Sequence, residues 1–327
     1  MSYRAILICL TVLVLALFTA SLLIGPSGIG PFEGLRALIS GHGAPGLVMR
    51  ELRLPRALLG VGVGAALGLS GAAMQGFLRN PLAEPGLIGT SAGAALGAVI
   101  AIQTGLYAAF ALALPLAALA GAGVAVALIL TLAGHEARAL VLILAGIAVA
   151  ALAGAATALV LNLAPSPYAA AEIVFWMMGS LADRSMSHVA LAAPFLALGA
   201  VILLRSGAGL DALSLGEDAA ASMGVSLKRL RLQIVFGSAL MVGAATAVAG
   251  AVGFVGLVVP HLLRRAVGSR PSRLLPTSAL GGAAMLLAAD IATRVIAPER
   301  DLKLGVLTAI VGAPFFLAMI RKMGRET

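Results

Sequence analysis

The feature that most limits what this chain can become is a succession of apolar runs, each near the length that crosses a bilayer. They fall at about 5–24, 57–78, 86–103, 108–133, 139–163, 189–205, 232–251, 254–268, 274–296 and 303–320, separated by charge, Pro or Gly. Roughly 20 apolar residues span the hydrocarbon core as a helix, so the pattern predicts about ten transmembrane helices, the eighth unusually short. With 61% hydrophobic and 11% charged residues and a mean hydropathy of +1.08, no hydrophilic stretch is long enough for a separate soluble domain. Residues 1–327 read as a single polytopic domain of the all-α integral membrane class. The first run lacks a convincing small-residue cleavage site, so it reads as a retained helix and not a signal peptide. Cys9 is the one cysteine, which excludes an intrachain disulfide.

The net charge of +9 would suggest nucleic acid in a soluble protein, but here it is a topology signal. With both termini cytoplasmic, fourteen of the 22 Lys and Arg residues lie in inner loops, including dense clusters at 228–231 and 264–273. No nucleic-acid partner is expected. The outer group Arg50, Arg53 and Arg56 in "MRELRLPRALLG" runs against this bias and suggests an acidic partner.

Gly60, Gly64 and Gly68 recur every four residues, as do Gly89, Gly93 and Gly97. Such faces let helix backbones approach closely in lipid, or line a smooth path. "SGAAMQGFLRNP" (70–81) laid on "AGAVGFVGLVVP" (249–260) pairs Gly71 with Gly250 and Pro81 with Pro260, a weak inverted-topology repeat of the kind transporters use.

Few polar residues lie inside the runs. Asp290 is the carboxylate well inside one, with Arg294 at i+4, and it reads either as a structural contact or as a proton or cation site. His261 follows Pro260 without ligand spacing to His42, His135 or His188, so it reads as a hydrogen-bonded histidine and no metal or cofactor is expected. Trp176, Met177 and Met178 suggest an interfacial helix with the indole at headgroup depth, or a lining of the outer mouth. No phosphate-binding G-x-x-x-x-G-K-[ST] and no Ser/His/Asp grouping is present, so the chain reads as a transport subunit and not an enzyme; any ATP chemistry must come from another subunit. The loop 206–231 has the form of two short helical pieces broken at Gly224, with Ser214 capping the first and Lys228 to Arg231 ending the second. It suits a docking surface.

Four stretches, 53–98, 213–225, 253–268 and 304–322, together resemble the FecCD-type permeases of type II ABC importers. The stretches include "RNPLAEPG" (79–86), "LSLGEDAAASMGV" and "GFVGLVVPHLLRRAVG". The resemblance implies a subunit in the bacterial inner membrane that moves a metal chelate (iron-siderophore or haem) or cobalamin inward. It implies a second permease copy around a central path, two ATPase subunits below and a periplasmic substrate-binding protein above. It places Arg53, Arg56 and Arg294 as docking positions for the binding protein. Gly216, Glu217, Ala221, Met223 and Gly224 match the ATPase-coupling helices, and Asn80, Leu82, Ala139 and Leu140 match the cytoplasmic gate. Ala139 and Leu140 stand where a relative has small hydroxyl residues. Two other readings of the residues are a proton-coupled secondary transporter using Asp290 and a membrane scaffold without transport.

Overall fold

In lipid, an apolar run can satisfy its backbone only by bonding to itself, so each run closes into a helix. The computed structural model describes residues 2–25, 27–134, 139–164, 166–298 and 302–326, and all regular structure among them is helical. The order is α1 (Tyr3–Leu23), α2 (Pro31–Ser40), α3 (Gly43–Leu47), α4 (Leu54–Phe77), α5 (Thr90–Gln103), α6 (Ala113–Ala133) and α7 (Ala139–Asn162). There follow α8 (Pro167–Met177), α9 (Met186–Arg205), α10 (Gly207–Leu213), α11 (Glu217–Ser222), α12 (Leu227–Ala249), α13 (Val255–Arg264), α14 (Pro271–Ile296) and α15 (Leu304–Glu326). A π-helical turn, Val48–Arg53, joins α3 to α4. Among the described residues, seven stretches are long and apolar enough to cross a membrane, and α5, α13 and residues Leu304–Met319 of α15 are shorter apolar helices. Each of the ten runs read from the sequence corresponds to one of these.

The core forms where α4 and α12 are enclosed by their neighbours, whereas α1 and α9 mostly face outward. Glycine spacing sets the closest approach. A β-carbon on Gly64 or Gly68 would overlap the carbonyl oxygens of Gly282 and Ser278 in α14, and one on Gly97 would overlap that of Ala117 in α6. These stripes are therefore helix contacts. Gly89 leaves its set: it precedes α5 at φ 74° and faces Gly146 and Ala150 of α7.

Two helices are too short to cross. At 1.5 Å per residue, the ten residues of α13 cover about 15 Å, half of a roughly 30 Å core. Its start lies against Leu67 and Gly71 in α4, well inside the bundle, and the start of α5 lies about two turns into α7. The segments 78–89, which includes a 3-10 turn at Pro85–Ile88, and 250–254 thus carry non-α backbone into the interior. The repeat positions differ in role: Gly71 is mid-helix, whereas Gly250 ends α12 at φ 71°.

Two local expectations change. Ser214 ends α10, its hydroxyl donating to the Asp211 carbonyl, and the next helix starts instead at Gly216. Lys228 to Arg231 begin the long α12, capped by Ser226, which accepts from the Arg229 N–H at 3.3 Å. Trp176, in the last turn of α8, is half-buried and packs against the cluster that includes Val99 and Ile102 of α5 and Ile173 of α8.

Gly68→Ala should cost about 1–3 kcal/mol, because backbone on both sides leaves no room for a methyl group. Gly123→Ala, with open space around it, should leave the melting temperature in detergent unchanged or higher. Equal melting of the two variants would contradict the α4–α14 packing.

Candidate functional site

At one end of the bundle, a helix needs its first N–H groups satisfied, and α14 finds a carboxylate for the purpose. Asp211 of α10 accepts from the Ser272 N–H at 2.8 Å, the Ser272 hydroxyl at 2.6 Å and Arg270 Nε at 2.7 Å. Burial would raise the Asp211 pKa, but the bonds from Ser272 and Arg270 outweigh it and hold the carboxyl below its usual value. Nothing in the sequence singled out Asp211, since its partners lie about 60 residues away.

Beyond this staple, α11 stands out from the bundle. Gly216 precedes it at φ 115° and Gly224 follows at φ 82°, conformations that favour glycine. Ala220 is fully buried against the body, while Glu217, Ala221, Met223 and Gly224 are exposed and Gly216 is half-buried. Leu215 is 70% exposed and Met223 64%, so an apolar pair flanks the acidic first turn of Glu217 and Asp218. The five residues expected to contact an ATPase are thus brought onto one projecting turn, and Leu215 joins them.

At the opposite end, the three expected docking arginines turn inward. Arg56 Nε lies 2.9 and 3.1 Å from the two Asp290 oxygens, and its Nη2 is 2.9 Å from Oδ1. Arg294 Nη2 lies 2.9 Å from Asp290 Oδ2 and also donates to the Ser21 hydroxyl, while Nη1 donates to the carbonyls of Ser21 and Ile24. Arg53 donates to the carbonyls of Leu22 and Leu23 at 2.8 and 3.0 Å and to the Ser27 hydroxyl at 2.6 Å. Together they satisfy the unpaired carbonyls that end α1 and place cations at its negative pole. Arg53 is only 6% exposed, and the Arg294 and Arg56 side chains 8% and 21%. Among the described residues, Arg36 and Arg50 are exposed cations at this end, the latter bonded to the Leu38 and Ile39 carbonyls that end α2.

The turn between α4 and α5 holds Asn80 and Leu82, the described positions expected at the gate. Arg79 adopts φ 49°, and Asn80 Oδ1 accepts from the Leu82 N–H at 2.9 Å, a side-chain turn that fixes the backbone before Pro85. Asn80 is exposed and Leu82 half-buried. Ala139 and Leu140 begin α7, but their side chains lie outside the described residues. His261 falls in the last turn of α13, edge-on to Phe315 at 5.8 Å between ring centroids.

Because Asp211 has a depressed pKa, its contribution is present above the ordinary carboxylate value of 3.8 and is lost as pH falls through the lower folded value. Amide exchange in 207–224 should therefore be unchanged from pH 8 to 5 once corrected for intrinsic rate, and Asp211→Ala should speed it selectively. Asp290→Asn, which leaves the Arg294 side chain and the half-buried Arg56 without a counter-charge, should cost about 3 kcal/mol of thermal stability in detergent. Arg50→Ala should cost about 1 kcal/mol or less.

Residues 13–322 match the FecCD transport family. A cobalamin import system permease protein of Halobacterium salinarum is 40% identical over 282 residues, 84% of this chain and 73% of that protein. A hemin transport system permease protein of Yersinia pestis is 38% identical over 281 residues, 84% of each chain. A metal-chelate type ABC transporter in an inward-facing conformation superposes with a TM-score of 0.85 at 33% identity, covering 98% of this chain and 99% of that one. The chain belongs to the FecCD transport family.

Proposed function

We propose that the chain is the membrane-spanning permease subunit of an ATP-binding-cassette importer, carrying a metal chelate or cobalamin inward by alternating access. The observation that carries this reading is the projecting turn at α11. It offers exposed Glu217, Ala221 and Met223 between two positive-φ glycines, with exposed Leu215 just before the first, on a base fixed by Asp211 to the start of α14. A turn so held can be pushed by a partner without bending at its root. The partner is a pair of ATPase subunits. Relatives that import cobalamin, hemin and ferric citrate support the substrate class: a large metal-centred molecule, of which haem, iron-siderophore and cobalamin are the members to test.

Two copies of the permease surround the path, with Asn80, Leu82, Ala139 and Leu140 at its cytoplasmic closure. The membrane is the inner, cytoplasmic one, and both termini face the cytoplasm with α10 and α11. A substrate-binding protein docks at the opposite end. Of the arginines assigned to that contact, Arg56 retains partial exposure, while Arg36 and Arg50 add exposed positive charge. Arg53 and Arg294 serve docking indirectly, by holding the end of α1 in place. The rival use of Asp290 as a proton carrier is disfavoured by geometry: both of its carboxylate oxygens are engaged by Arg56 and Arg294.

The test is uptake of cobalamin, haem and ferric siderophore by proteoliposomes holding the permease, its ATPase and its binding protein. Glu217→Arg and Gly224→Trp should assemble but lose ATP-driven uptake about tenfold or more, with ATPase activity persisting. Unchanged uptake in both would reject the coupling assignment, and uptake without any ATPase would reject the importer. Cysteines at 80 or 82 should crosslink across the dimer in at least one nucleotide state.

A further inference from the structure

We infer that Glu84 is a positioning residue that fastens the gate turn to the head of α13, so that the two move as one body during transport. The inference rests on the gate reading of Asn80 and Leu82 above. Glu84 lies four residues after Asn80, in the same turn between two prolines. Its Oε1 accepts from the N–H of Phe254 at 2.9 Å, across 170 residues of sequence. Phe254 precedes the first residue of α13 and has φ 68°, a left-handed conformation unfavourable for a side chain that cannot bond locally. An interaction from outside the segment must hold it there. The carboxylate also sits at the positive end of α13, where charge reinforces the hydrogen bond.

Three further contacts join the same pieces. Pro85 lies so close to Gly256 that a β-carbon there would meet its ring at 2.7 Å. Gly71 of α4 lies against the backbone of Gly256. Pro260 has no N–H, so the Gly256 carbonyl four residues earlier lacks its helical donor. Gln75 Nε2 supplies one, at 3.4 Å, and reaches the Leu257 carbonyl at 3.3 Å, while Arg264 Nη2 fixes the amide by donating to its Oε1 at 2.6 Å. The segment 71–85 thus holds α13 at both ends of its first turns, and Glu84 makes the bond nearest the gate. The Phe254 side chain in turn packs on Gly312 of α15, which extends the joint to the last helix.

The experiment uses the complete transporter in proteoliposomes, with Cys9→Ser and Asn80→Cys so that one thiol per permease reports the gate. Crosslinking across the dimer is measured with and without nucleotide, beside uptake and melting temperature. In this background the yield should depend on nucleotide. Adding Glu84→Ala should abolish that dependence and lower uptake about tenfold, the loss expected for one hydrogen bond to a charged group. Glu84→Gln, which keeps an oxygen acceptor, should restore most of both. Phe254→Gly, which removes the left-handed penalty, should restore the nucleotide response to the Glu84→Ala protein. This double variant also serves if Glu84→Ala alone fails to fold. A gate that ignores nucleotide before Glu84 is changed overturns the gate reading and this role with it. A normal gate response in Glu84→Ala, or a double variant no better than Glu84→Ala, overturns the role of Glu84 while leaving the gate reading intact.

Discussion

Irregular backbone deep in a membrane protein must find its hydrogen-bond partners within the protein, since lipid supplies none. Here the two segments that break the helical pattern, 78–89 and 250–254, meet one another inside the bundle. Local bonds close much of the first segment: Asn80 donates to the Gln75 carbonyl, Ala83 to Asn80 and Gly89 to Gly86. In the second, Gly250 donates back to Thr246 and Val255 to Gly253, while Glu84 takes the Phe254 N–H from outside; Ser180 and Arg184 donate to the Ala249 and Val248 carbonyls that end α12 just before it. Once these groups pair, α5 and α13 can begin well inside the bundle, and the crossing of α4 by α13 at Gly71 and Gly256 follows.

The same requirement explains the arginines. α1 buries few of its residues, Ile6, Val14, Ser21 and Leu22 among them, so side-chain packing alone fixes it weakly. Its last carbonyls are instead held by Arg53 from the start of α4 and Arg294 from the end of α14, and Asp290 balances Arg294 and Arg56. One buried carboxylate cannot neutralise three cations. Carbonyl oxygens and hydroxyls take the remaining N–H groups, so the excess charge is solvated by the end of a helix.

Run length and glycine spacing are properties of neighbouring residues, and both were legible: every apolar run became a helix, and the Gly64 and Gly68 stripe became a backbone-close contact between α4 and α14. The shortness of α13 showed as an unusually short eighth run; that α5 and α13 both begin inside the bundle did not, because the depth at which a helix starts is set by partners distant in sequence. Ser214 misled because a hydroxyl can bond forward to open a helix or back to close one, and the choice was made by α10 already running from Gly207. The resemblance brought the projecting residues of α11 into view together. It did not convey that Arg53 and Arg294 cap α1, because their acceptors are backbone atoms of helices distant in sequence. Glu84 and Gln75 were silent for the same reason.

These contacts also define what can move. Asp211 fixes α10 to the head of α14, the glycine stripe fixes α14 to α4, and Gln75, Pro85 and Glu84 fix α4 and its turn to α13. Each link is a close backbone contact or a hydrogen bond at least partly withdrawn from solvent, and such links hold or break more than they stretch. A displacement applied at α11 would therefore pass through α10, α14 and α4 to the turn at Asn80 with little loss on the way. Rigidity along that line makes a distant push useful, and it requires the yielding contacts to lie elsewhere, where helices meet through apolar side chains that can slide over one another.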